Sequence, residues 1–179
     1  MLSTELNKMV KVSFIGHPAV GKTTCLKLLA KNTIDRIYLP THGFDLKTVR
    51  LESFTLKIWD LAGQKNYLKA YSKDHLIGSD IIIIVTDSTP RNVLKSRELI
   101  NYTTHFIDED CPIIAIANKQ DLKTVDGRMD PERVGEILKI KTFGLSAINP
   151  KERMILINII RKELEQVAIK RGMRKDEFY

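Results

Sequence analysis

One stretch constrains this chain more than any other: Gly16-His17-Pro18-Ala19-Val20-Gly21-Lys22-Thr23-Thr24. It follows an alternating apolar run, Val10, Val12, Phe14, and opens the helix-like run Cys25-Leu26-Lys27-Leu28-Leu29-Ala30-Lys31. A strand, a glycine-framed loop, Lys-Thr and a helix make up the layout of a phosphate cradle. Gly16 and Gly21 let the backbone turn so that successive N–H groups, from Ala19 and Val20 on to Thr24, point at one anion, with Pro18 lining the loop through its ring. Lys22 brings a point charge to β- and γ-phosphates, Thr23 offers a hydroxyl to Mg2+, and the helix presents its positive end. His17 reads as a loop side chain rather than a general base.

The order of the remaining segments predicts an α/β fold. After the first strand (about 9–15) and helix (about 22–32), two extended runs, Phe44 to Leu51 and Phe54 onward, are separated only by Glu52-Ser53 and read as an antiparallel hairpin running into Trp59-Asp60. Lys65 to His75 reads as an irregular helix. Ile81 to Val85 is a β-branched run suited to a strand covered on both faces, ending at Thr86-Asp87. Thr89-Pro90 starts a helix with Leu94, Leu99, Ile100 and Phe106 as its apolar positions. Pro112 to Ala117 is another buried strand, and Asp130-Pro131 opens a short helix through Val134, Ile137 and Leu138. Residues 141–145 form a last strand. Asn149-Pro150-Lys151-Glu152 resembles a capping box before a helix to about Lys170, its core stripe Ile157, Ile160, Leu164 and Val167. Strands alternating with helices imply a mostly parallel sheet, with ligands beyond the carboxyl ends of its strands.

Each polar motif follows an apolar run at that end. Asp60 is placed to hold Mg2+ through a water, Gly63 to bring a backbone N–H to a γ-phosphate, and Gln64 to orient an attacking water. Asp121 is a base selector: a carboxylate accepts two hydrogen bonds from adjacent N–H donors, which guanine has and adenine lacks. Asn118 and the Lys119 stem brace the loop and the ring.

Composition bounds the rest. The 179 residues suit one domain, with 1–8 a short N-terminal extension and 171–179 a basic and polar tail. Two cysteines, no long apolar leader, Leu2 where myristoylation needs glycine and no prenylatable cysteine at the end predict a cytoplasmic, reduced protein. The formal net charge is +7, and part of that charge serves the nucleotide. The cluster Lys170, Arg171, Arg174 and Lys175 suggests either a solvated helix end or weak association with an anionic membrane. Nothing resembles an RNA-binding module, so no nucleic-acid partner is expected.

Together, Pro40-Thr41-x-Gly43-Phe44, Trp59-Asp60-x-x-Gly63-Gln64 and Asn118-Lys119-Gln120-Asp121 resemble Ras-superfamily small GTPases, most closely the Arf/Sar branch, over about residues 9–170. Ala62 stands where Arf-type chains usually carry the first glycine of a pair, and Asp74 where they carry an aromatic. The resemblance implies a P-loop NTPase three-layer fold: a six-stranded, mostly parallel sheet with one antiparallel strand, and five helices. It implies that Thr23 and Thr41 ligate Mg2+, that Lys22, Thr41, Gly63 and Gln64 serve catalysis, and that the Ser146-Ala147 backbone approaches guanine O6. It also implies two switch segments, about 33–45 and 61–75, recruiting effector proteins in the GTP state, with an exchange factor and a GTPase-activating protein as further partners of a monomeric chain. Arg36 lies in the first switch, as a mobile exposed arginine or one reaching inward. The function expected is a molecular switch that binds GTP or GDP with Mg2+ and hydrolyses GTP slowly, Arf-like and linked to membrane trafficking. The alternative is a GTP-binding scaffold with negligible hydrolysis whose basic tail docks an acidic partner or lipid.

Overall fold

The computed structural model describes residues 8–31, 44–50, 54–61, 74–170 and 172, the side chains of 8, 44, 45, 54, 60 and 61 excepted. Six strands form one sheet: β1 (Lys8–Ile15), β2 (Phe44–Arg50), β3 (Phe54–Leu61), β4 (Ile81–Thr86), β5 (Ile113–Ala117) and β6 (Thr142–Gly144). Their order is β2-β3-β1-β4-β5-β6, with β2 antiparallel to β3 and every other pair parallel. This is the expected P-loop NTPase sheet, with the antiparallel pair where two extended runs lay three residues apart. Five α-helices lie wholly within the described residues: α1 (Lys22–Leu29), α2 (Pro90–Thr103), α3 (Lys123–Asp126), α4 (Pro131–Leu138) and α5 (Arg153–Lys170). Residues 74–76 are helical too, and the rest of the irregular helix expected at 65–75 lies outside the described residues.

Strand β4 shows why the layers form. All six of its residues are buried, and successive side chains alternate between two cores. Ile81, Ile83 and Val85 join Val12, Phe14, Leu26, Leu29, Leu156 and Ile160 under α1 and α5. Ile82 and Ile84 join Ile15, Val93, Ile100 and Leu138 under α2 and α4. Each fully buried isoleucine contributes about 1.5–3 kcal/mol. A central strand covered on both faces therefore reads as an uninterrupted apolar run.

The α2 face differs from the sequence expectation. Leu94 is 56% exposed, whereas Val93 is fully buried. Val93, Ser96, Ile100 and Thr103 recur at three- and four-residue spacing and form the inner face, and Leu94 lies one residue off that stripe. The expected capping box is also rearranged. Asn149 Oδ1 accepts from Lys151 N (3.1 Å), while Glu152 accepts from Ser146 N (2.6 Å) and from the Asn149 side-chain Nδ2 (3.5 Å) rather than from the Asn149 backbone N–H. The Asn149 N–H is already committed to Ser146 O (2.8 Å), so a single 3-10 turn, Pro150–Glu152, precedes α5. The expected stripe on α5 holds: Ile157, Ile160, Leu164 and Val167 are all at most 5% exposed. Among the described residues no helix is long and apolar enough to cross a membrane.

Strand order reverses about β1, with β3 on one side and β4 on the other. In open α/β sheets such a switch point opens a crevice beyond the strand ends. The Gly16–Thr24 loop leaves β1 at that place.

Candidate functional site

The loop closes tightly on the sheet. A Cβ on Gly16 would lie 2.3 Å from the Val85 carbonyl oxygen, so only glycine allows the loop to pass β4 this closely. Ala19 (φ 62°) and Gly21 (φ 103°) both occupy left-handed conformations, the kind of turn that aims backbone N–H groups into one concavity. Gly21 is also the N-cap of α1, which has no side-chain cap. No side chain of the cap residue thus competes for the first N–H groups of the helix. Lys22, the first helical residue, is 6% exposed, and its Nζ donates to the carbonyl oxygens of Gly16 and His17, both at 3.0 Å. An ammonium held by loop carbonyls sits at the centre of the cradle. Pro18 and Ala19 are exposed at the rim, Val20 is buried beneath, and Thr23 and Thr24 are half-buried in the first turn of α1.

The second motif is bonded directly to the first. Asn118, 2% exposed, follows β5; its Nδ2 donates to Val20 O (3.0 Å) and its Oδ1 accepts from Ala147 N (3.0 Å). A Cβ on Gly21 would lie 2.2 Å from that Nδ2, so the amide lies flat against the glycine. Lys119, in a left-handed conformation (φ 63°), reaches across to donate from Nζ to Ala19 O (2.7 Å). Asp121 is exposed, and its N–H donates to Ser146 Oγ (3.0 Å). Gln120 N donates to Leu145 O (3.2 Å), and Ser146 N is held by Glu152. Three loops that are far apart in sequence, 16–24, 118–121 and 146–147, are thereby tied into one wall. The Ala147 N–H expected to approach guanine O6 is engaged by Asn118 Oδ1 in this arrangement.

The fourth motif is described only in part. Asp60 pairs in register with Phe14 across β3 and β1, which puts its backbone beside the strand end that leads into Gly16. Its side chain lies outside the described residues, as do Thr41, Gly63, Gln64, Arg36 and most of the two switch segments.

Several participants carry no signature in the sequence. Ser88 (φ 66°) donates from Oγ to Asn118 O (2.8 Å), and Gln120 Nε2 donates to Ser88 Oγ (2.9 Å) and Met129 O (3.1 Å). The sole hint was a polar pair, Thr86-Asp87, closing an apolar strand. Burial pushes the Asp87 carboxyl up, but hydrogen bonds from Thr89 and Asn92 and the Lys119 charge together hold it below its ordinary range. Burial lowers the Lys119 ammonium, with Asp87 opposing and Arg128 adding to the shift. His17 proves buried, 8% exposed, and among the described residues its Nε2 has no hydrogen-bond partner. Burial lowers its basicity; a Lys95 backbone carbonyl opposes, and the Lys95 and Lys22 charges add to it. The ring is thus packed in the loop, beside Lys95 of α2.

Chemically, the wall offers backbone donors, one central ammonium, a helix N-terminus, and an exposed carboxylate at its far end. That set suits an anion at one end and a hydrogen-bond-donating ring edge at the other. Comparison with known proteins points the same way. The model of the ADP-ribosylation factor family matches residues 1–173. The chain is similar to ADP-ribosylation factor-like protein 3 of Chlamydomonas reinhardtii, 35% identical over 116 residues, which span 63% of this chain and 63% of the algal protein. It is also similar to ADP-ribosylation factor-like protein alp41 of Schizosaccharomyces pombe, 28% identical over 172 residues and 89% of each chain.

Proposed function

The chain belongs to the ADP-ribosylation factor family, a GTP-binding switch of the Arf-like type, and from that premise we propose that it holds GTP or GDP with Mg2+ and slowly hydrolyses GTP. The observation that carries the guanine assignment is the Asn118 side chain, bonded at once to the phosphate-loop carbonyl of Val20 and the backbone of Ala147. It ties the loop that carries Asp121 to the anion cradle, which supports reading the two as ends of one site. In use, Lys22 exchanges its contacts with the Gly16 and His17 carbonyls for β- and γ-phosphate oxygens. Asp121 accepts from the N1–H and 2-amino groups of guanine, and in the Ser146-Ala147 backbone the Ala147 N–H exchanges Asn118 Oδ1 for guanine O6.

The donors fit Mg2+. Thr23 stands in the first turn of α1 and Asp60 is the last residue but one of β3, its backbone in register with Phe14, so both offer hard oxygen donors. Thr41 is the third candidate. When bound, the ion neutralises charge building on the transferring phosphoryl group. Gln64 orients the attacking water and Gly63 donates a backbone N–H to the γ-phosphate. No arginine is assigned to the transition state, so turnover without a partner is on the order of 10⁻⁴ to 10⁻² per second. The GTP-bound switch segments, about 33–45 and 61–75, recruit effectors in a cytoplasmic, monomeric, single-domain protein. An exchange factor and a GTPase-activating protein reset it, and its basic C-terminal residues give weak membrane association.

Asp121→Asn tests the site. The variant should bind xanthine nucleotides in preference to GTP, because an amide donates where the carboxylate accepted; unchanged selectivity for GTP in equilibrium binding would remove the guanine assignment. Single-turnover phosphate release tests the chemistry. Gln64→Leu should bind GTP normally and release phosphate about tenfold more slowly or worse, a loss of roughly 1.4 kcal/mol in transition-state stabilisation. Equal rates would take Gln64 out of the mechanism, and no release from the unaltered chain over many hours would leave a GTP-dependent scaffold instead.

A further inference from the structure

The chain beyond Asp121 returns to the motif it has just left. After α3, Gly127 takes a left-handed turn (φ 61°) and brings Arg128 and Met129 back against the end of β4. Met129 N donates to Ser88 O (2.9 Å), while Met129 O accepts from Gln120. Arg128 is held between these anchors, its side chain 10% exposed. Its Nη1 donates to the Asp87 carbonyl oxygen (2.6 Å) and lies 3.5 Å from the Asp87 carboxylate, and its Nη2 pairs with Asp126 (3.0 Å). Asp87 therefore feels two cations, Arg128 in contact with it and Lys119, and Lys119 is the residue bonded to Ala19 of the phosphate loop.

This is a costly way to fill a surface cleft. Desolvating a guanidinium is expensive, and among the described residues the Arg128 Nε is buried without an acceptor. Apolar replacement of such a group often leaves stability unchanged or better. An apolar side chain, however, cannot fix the Asp87 carbonyl and carboxylate at once. Ser88, whose orientation depends on that turn, carries Asn118 O and Gln120 Nε2.

We propose that Arg128 is a positioning residue for the purine base: by clamping the Asp87-Ser88 turn it sets where Asn118, Lys119 and Asp121 stand relative to the phosphate loop. This rests on the guanine-nucleotide reading above. A misplaced loop loosens contacts to the base before it affects contacts to the phosphates. The Asp121 contact to the guanine 2-amino group suffers first, and inosine lacks that group.

The experiment uses the full chain loaded with a fluorescent GDP derivative and chased with unlabelled GDP, together with competition between GDP and IDP. Arg128→Ala should release the nucleotide about tenfold faster, the scale of one lost charge-assisted hydrogen bond, and should lower its preference for GDP over IDP. Arg128→Lys keeps the charge without the fork and should fall in between. Lys141→Met is the control for stability alone. It strips the partner from buried Glu163 near the start of β6, the strand end away from the site, and should lower the melting temperature without altering either nucleotide readout. Wild-type dissociation from Arg128→Ala, or faster release with an unchanged GDP-to-IDP ratio, overturns the proposal. If Arg128→Ala does not fold, Arg128→Lys decides on the same two readouts. Failure of the unaltered chain to bind GDP at all removes the guanine reading itself.

Discussion

At the residue scale, single atoms decide where loops pass. Gly16 is fixed by a carbonyl 2.3 Å from the Cβ it lacks, and Asn118 by two backbone partners from opposite ends of the chain. Both residues stood out in the sequence because their chemistry is specific to their type. His17 did not, since a histidine in a loop gives no sign of its burial. Its depressed basicity has a definite consequence for stability. A group whose folded pKa lies below its ordinary 6.5 binds more protons when unfolded, so its contribution is present above 6.5 and is lost as pH falls through the folded value. Chemical denaturation between pH 7 and 5 should therefore show the wild type losing stability more steeply than His17→Leu. Parallel slopes would mean that the ring titrates normally and is not buried as described.

Elements follow from periodicity and fail where two registers compete. The β4 run and the α5 stripe were readable because burial on both faces, or on one helical face, leaves a regular pattern. On α2 the inner face is part polar, with Ser96 donating to Asn92 O and Thr103 to Leu99 O. Leu94 thus looked like a core residue although Val93 occupies that place. Elements also brace one another through groups that carry no pattern. Arg153, the first residue of α5, donates from Nε to Leu29 O (3.0 Å) and satisfies one of the orphan carbonyls at the end of α1. Arg153→Ala is expected to lower unfolding stability by about 1–2 kcal/mol, read as a shifted urea midpoint with an unchanged slope. A midpoint unmoved within error would show that solvent satisfies the carbonyl equally well.

Across the whole molecule, contacts between strands tie the end of β3 to β1 and to the chain before β4. Trp59 on β3 sits in register with Ser13, with the Lys11 ammonium 5.0 Å over its ring and His75 meeting it edge-on at 4.9 Å. The Lys11 Nζ also donates to Ile77 O (2.6 Å), and its backbone N–H donates to Asp80 (2.9 Å). The chain's one tryptophan is thus packed between Lys11 of β1 and His75. Its emission should step when GDP is exchanged for a non-hydrolysable GTP analogue; a flat trace would argue that the switch segments move without β3. The sequence by itself determined the strand–helix alternation and picked out the Gly16–Thr24 loop and the Asn118–Asp121 turn, because periodicity and residue chemistry are local. Only the tertiary structure decided that Asn118 bridges Val20 and Ala147, that His17 is buried, and that Arg128 stands against Asp87. Those contacts join residues 29 to 98 positions apart, or hang on a return turn, and no local pattern encodes which side chain a folded sheet will bring within 3 Å of another.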